Sequence, residues 1–370
     1  MNWRFDFHSV WSRLTRLSPW IFFVIILLVA ARLVLPLAVK AYVNHKLNQA
    51  QDYAGKIGGV SMRLWRGGYR IHQVEILKKT GGVQSPLFSA SEVDLSIEWR
   101  ELLHGAVVGE VILWQPQVNF VMGPTPQQTQ NGKDERWGKM LQSLFPFNLN
   151  RVEISQGEIH FQNQFSEPPV DIYLKQISAT ATNLTNAREL KQKLPSGLVA
   201  RGSTVGGGQL SLQLQMNPLE ATPTYEINCG LTNVNLVALN DFLRAYGKFD
   251  VARGDFALYT SVAASQGAYE GYFKVFFNDL DIFEWEKERK KNVLEVFWQA
   301  IVGGVAVVLK NQSKDQLATK VPISGSYSNS SVGVWTATAT LLQNAFIHAL
   351  VPKLDQHVTV EQVEKTDTKK

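Results

Sequence analysis

The chain has 370 residues, a formal net charge of +5, 19% charged residues, seven histidines and a single cysteine. That length buries a large core, and a charged share below the usual quarter suits a β-rich exported protein better than a helical cytosolic one. The Lys and Arg residues are scattered, without a basic stripe interleaved with aromatics, which argues against nucleic acid as a partner. No internal disulfide is open to Cys229, which reads as a buried strand residue, and the histidines never fall at paired ligand spacings, so neither a metal nor a cofactor is expected.

Residues 1–18 carry Arg4, Arg13 and Arg16 against Asp6 alone, and residues 19–39 then supply about the 20 apolar residues that cross a hydrocarbon core. By the positive-inside rule the N-terminus stays in the cytoplasm and the body is sent outward. Arg32 lies in the outer third of the span, where a long side chain snorkels to the interface, and Trp11, Trp20 and Tyr42 stand near the two interfaces. Two other readings compete. Val29-Ala30-Ala31 has the small residues of a signal-peptide cleavage site, but the apolar run continues to Val39; a buried core helix would have a polar face, and this one has none. With or without cleavage the body is exported.

Residues 40–52 read as the helix running out of the bilayer, after which the period changes to two. Residues 89–99 place Val93, Leu95, Ile97 and Trp99 opposite Glu92, Asp94, Ser96 and Glu98. Residues 209–216 repeat the pattern with Leu210, Leu212, Leu214 and Met216 opposite Gln209, Ser211, Gln213 and Gln215. These are strands with one dry and one wet face. Less regular strands are predicted at 69–78, 111–122, 152–162, 171–177, 225–231, 255–262 and 269–277, punctuated by Gly67-Gly68, Gly81-Gly82, Pro168-Pro169 and Gly206-Gly207-Gly208. With almost no amphipathic helix in the middle of the chain to cover a dry sheet face, the strands must form a sandwich, close as a barrel, or curl so that the dry face lines a groove. Periodicity alone leaves all three open.

Helical spacing returns at 293–309, through Val293, Phe297, Ile301 and Val308, behind the charged stretch 284–289, and again at 341–350. Gly303-Gly304 and the shortness of the first run argue against a second membrane crossing. Residues 353–370 are polar and read as a disordered tail.

Several short passages carry a resemblance. Gly58-Gly59-Val60, Arg66-Gly67-Gly68-Tyr69 and the run from Pro86 to Trp99 are followed by Glu101-Leu102-Leu103-His104-Gly105 and a strand through Pro116. Arg151-Val152-Glu153-Ile154-Ser155-Gln156-Gly157 is loosely echoed at 249–258, and Pro322-Ile323-Ser324-Gly325 precedes 341–352. In this order, behind a helical anchor, they resemble the AsmA-like proteins of Gram-negative envelopes, in their shorter branch, across nearly all of residues 19–352. The motifs are short and structural.

The resemblance implies a mainly β fold: an N-terminal transmembrane helix, a long curled antiparallel sheet forming an apolar groove, and C-terminal helices. The divisions follow as a cytoplasmic segment 1–18, an anchor 19–39, a groove 48–283, C-terminal helices and closing strands 284–352, and the tail. It also implies an inner-membrane protein with a periplasmic body that binds phospholipid, helps move lipid between inner and outer membranes, and works with envelope protein partners. Residues expected to line the groove are Leu95, Ile97, Leu210, Leu212, Leu214, Leu258, Phe273, Val275 and Phe277. An ordinary sealed core is the other reading of the same residues, because pattern alone gives no register.

No nucleophile elbow, Ser-x-x-Lys, phosphate-cradling glycine loop or His-Glu-x-x-His helix is present, so no enzymatic activity is expected. Asp94 and Glu98 read as solvated carboxylates rather than an acid/base pair. The rival to lipid carriage is a non-catalytic tethered scaffold that offers a sheet edge to outer-membrane proteins during assembly.

Overall fold

The structure is a computed structural model that describes residues 19–48, 52–63, 67–97, 108–130, 148–184, 194–217, 224–247, 249–282, 309–311 and 316–326.

Helix α1 (Pro19–Asn48) begins on a proline, whose missing N–H suits a first helical turn, and ends with His45 and Lys46 in the last turn, where cations complement the helix dipole. From Phe22 onward it is long and apolar enough to cross a membrane. Its 30 residues span about 45 Å, longer than a hydrocarbon core of about 30 Å. The two ends behave differently. Phe22, Leu33 and Leu37 are 64–69% exposed, whereas Val43 and Leu47 are buried and pack with Val39 against the first strands. Those three recur at four-residue spacing, which puts them on one helix face.

The strands are β1 (Tyr53–Arg63), β2 (Gly68–Lys78), β3 (Phe88–Ile97), β4 (Val108–Trp114), β5 (Gln117–Val121), β6 (Asn148–Asn163), β7 (Val170–Thr182), β8 (Ser196–Thr204), β9 (Gln209–Asn217), β10 (Thr224–Asn235), β11 (Val251–Ser265), β12 (Ala268–Ile282), β13 (Leu309–Asn311) and β14 (Gln316–Ser326). They form one sheet in the order β1-β2-β3-β4-β6-β7-β8-β9-β10-β11-β12-β14-β13, with β5 beside β3 and β6. Every pairing is antiparallel except those of β4 and β5 with β6. The strand expected over 111–122 is split at Gln115-Pro116, since proline has no N–H to donate to a ladder. Pairing resumes at once: Glu158 N donates to Pro116 O at 2.8 Å.

Between β10 and β11 the chain forms a helical insert over 236–247, built from a 3-10 turn (Leu236–Leu239), a short α turn (Asn240–Phe242) and a π turn (Leu243–Gly247). Asn235 caps it, its side-chain oxygen accepting from Val237 N at 2.9 Å. Strands β1, β8, β13 and β14 and this insert escape the periodicity reading. The helices expected at 293–309 and 341–350 and the tail lie outside the described residues, except that Leu309 opens β13.

Candidate functional site

Alternation sorts the side chains of each strand onto two faces, and the pairing register shows what those faces hold. One row of directly paired residues crosses twelve strands: Val60, Ile71, Val93, Leu113, Ile154, Ala179, Ala200, Leu212, Cys229, Thr260, Phe273 and Val321. Thr260 is its only hydroxyl-bearing member. The neighbouring row on the same face is Met62, Tyr69, Leu95, Val111, Val152, Ala181, Leu198, Leu214, Ile227, Val262, Gly271 and Ile323. It contains no charged residue and only the Tyr69 hydroxyl. At about 4.8 Å per strand, these two apolar ladders run for about 53 Å along the sheet.

All nine residues expected to line a groove fall on this face. Leu212 and Phe273 stand in the first ladder, Leu95 and Leu214 in the second, and Leu210, Leu258 and Val275 in the next row along the strands. Ile97 and Phe277 flank these rows on β3 and β12. Leu95, Leu214, Val275 and Phe277 are buried; Ile97, Leu210, Leu212, Leu258 and Phe273 are only half-buried.

The face is closed off unevenly. The helical insert sends Leu236 and Leu243 into a cluster with Val234, Phe256, Val275 and Phe277, against which Leu258 also packs. Its Leu239 and Phe242 also pack against a second cluster of Phe120, Phe161, Val170 and Ile172. The insert therefore joins strands β5–β7 to strands β10–β12. Val275 and Phe277, picked from alternation as lining, are core residues under this cap. At the opposite edge the end of α1 covers Tyr53, Ile57 and Val74.

Cys229 lies within the first ladder and is half-buried rather than fully buried, and burial pushes its thiol pKa up. Burial also raises Tyr69, with Tyr42 a smaller contribution. Burial on this face thus disfavours the anionic form of both groups.

The other face is polar. Arg70 bridges Glu92 Oε2 at 2.6 Å and Asp94 Oδ2 at 2.9 Å, so Asp94, expected to be merely solvated, is a structural ion-pair partner. Glu98 lies outside the described residues. Buried His160 sits between Asp171 Oδ1 at 2.9 Å and Glu158 Oε2 at 3.1 Å. Among the described residues no group of three or more His, Cys, Asp or Glu could hold a metal ion.

No protein-family model and no curated protein matches this chain.

Proposed function

We propose that the chain is an inner-membrane-anchored, non-catalytic protein whose periplasmic body holds phospholipid acyl chains along the apolar face of its sheet and so contributes to lipid movement between the two membranes and to envelope homeostasis. The AsmA-like resemblance of the sequence suggests this role. The observation that carries it is the pair of apolar ladders, continuous across twelve strands.

A face built only as a protein core would have its long side chains sealed throughout. Here Leu210, Leu212, Leu258 and Phe273 keep part of their surface accessible, while Ala179, Ala181, Ala200 and Gly271 keep the face thin along its length. A curled sheet would turn this surface into a groove in which each buried CH₂ contributes about 0.8 kcal/mol. A lipid head group would remain at the polar rim. Movement along such a face needs no chemical step, which accords with the absence of catalytic motifs in the sequence.

The experiment is site-specific photo-crosslinking in cells. Benzoylphenylalanine at Leu212 and Phe273 is expected to capture phospholipid, and the same probe at Gln213 and Lys274, the adjacent residues on the polar face, is not. Equal labelling of both faces, or none at Leu212 and Phe273 in a folded protein, rejects lipid carriage.

The scaffold reading has one observation in its favour. Strand β13 pairs with only residues 316–318 of β14, leaving 319–326 without a strand on that side among the described residues. Pro322 interrupts that edge, and proline is a device that discourages strand addition. Crosslinks from Ser324 to outer-membrane protein strands, with no lipid at Leu212, would favour the scaffold.

A further inference from the structure

On the polar face an unusual backbone feature repeats across neighbouring strands. Gln73 in β2, Gln115 between β4 and β5, Gln156 in β6 and Gln176 in β7 all have positive φ, at 53°, 48°, 54° and 53°. They align with one another. Gln73 and Ser91 lie between the pairs His72–Glu92 and Val74–Ala90, Glu92 pairs with Trp114, and Trp114 pairs with Ser155. Gln156 and Gln176 fall where the β6–β7 and β7–β8 registers shift. Residues other than glycine rarely adopt this region, and glycine or asparagine would do so at lower cost. Asn233 in β10 and Asp279 in β12 share this conformation, and backbone strain of this kind clusters at binding and catalytic sites.

The row creases the sheet. Along it runs an open depression of about 530 Å³ lined by His72, Gln73, Ser91, Glu92, Trp114, Gln115 and Gln156. That volume lies in the range of small-ligand sites. Trp114 is 41% exposed, the one tryptophan among the exposed large apolar side chains of the described residues. Beside it Gln115 Nε2 donates to Gln156 Oε1 at 3.3 Å, and this bond uses neither the Gln115 oxygen, an acceptor, nor the Gln156 amide nitrogen, a donor.

We propose that this crease binds a neutral oligosaccharide. An exposed indole offers a flat apolar platform for the C–H face of a sugar ring, and side-chain amides offer paired donors and acceptors for its hydroxyls. Charge narrows the ligand class. None of the seven lining residues is Lys or Arg, Glu92 contributes a carboxylate, and the nearby Arg70 is engaged by Glu92 and Asp94. A phosphate, sulfate or nucleic-acid backbone would meet repulsion there. The crease lies on the face opposite the apolar ladders, so it stands or falls independently of lipid binding.

The test is calorimetric titration of the full-length chain in lipid nanodiscs, free of sugar-headed detergent, with maltotetraose, chitotetraose and a sulfated heparin tetrasaccharide. Saturable binding of a neutral tetrasaccharide is expected, weakened at least tenfold by Trp114→Ala. Gln156→Asn tolerates the same backbone while withdrawing the amide, and should weaken binding severalfold with unchanged folding. No saturable binding below about 1 mM, binding that survives both substitutions, or preference for the sulfated ligand overturns the proposal.

Discussion

Asn163 Nδ2 donates to the phenolic oxygen of Tyr246 at 2.8 Å, joining residues 83 apart in sequence. The bond ties the helical insert to the end of β6. Asn163 is buried and its own oxygen accepts from Phe165 N at 3.0 Å, so the side chain is oriented from both ends. Tyr246→Phe keeps the ring and strands the amide, costing about 1–3 kcal/mol. Hydrogen exchange should accelerate in peptides covering 236–247 and 161–172 and stay unchanged at β1–β2; uniform exchange would show that the insert is held by packing alone.

The joint between helix and sheet rests on a glycine. A Cβ on Gly55 would lie 2.7 Å from Leu47 Cβ, and Leu47 is fully buried. Gly55→Val is therefore expected to push the end of α1 away, at about 1–3 kcal/mol. The readout is the Ile57 amide, which donates to Asn44 Oδ1 at 2.9 Å and should lose protection.

Arg70 holds two carboxylates on adjacent positions of one strand face, and its side chain is 21% exposed against 12% for Asp94. Arg70→Gln removes the guanidinium that both acids share. A loss of about 1–3 kcal/mol is expected in denaturant unfolding, against a near-neutral effect for Lys56→Gln, whose exposed pair with Glu75 contributes little.

Alkali should destabilise the fold. Burial raises the pKa values of Cys229 and Tyr69, and that of Tyr246 against a smaller lowering from the Asn163 hydrogen bond. A raised acid keeps its proton longer in the folded state, so its contribution is whole below the unfolded value and is lost as pH climbs through the folded one. Stability should be level near neutrality and fall from about pH 8.5–10 upward, the ordinary range of thiol and phenol. Unfolding midpoints across that range check it, and Cys229→Ala should delay the onset; an unchanged midpoint up to pH 11 would contradict the assignment.

How far the sequence reveals the fold differs between elements for physical reasons. Strand β9 is plain because leucines alternate with glutamine and serine over 209–216, and it occupies Gln209–Asn217. Strand β8, Ser-Gly-Leu-Val-Ala-Arg-Gly-Ser-Thr, carries too few large apolar residues to show a period, though Ala200 sits in the centre of the first ladder. Strand β1 is masked by its three glycines. The insert did leave a signal: Leu236, Leu239 and Leu243 at helical spacing behind a capping asparagine, too short a stretch to stand out beside long strands. For the candidate face, alternation identified which residues share a side. It could not tell Leu212 from Phe277, because only the tertiary position of the insert separates a half-open residue from a capped one.

Only four residues separate α1 from β1, and the helix end is fastened there: Lys40 Nζ donates to Gly58 O at 2.7 Å and Asn48 Nδ2 to Gly55 O at 3.1 Å. These two bonds hold the end of the helix against the first strand. With α1 seated in a bilayer, as proposed above, helix and first strands would turn as one lever with its fulcrum there. A helix tilt of about 20° would sweep the far strands through up to roughly a third of the ladder's length. Bilayer thickness, by setting that tilt, would aim the sheet.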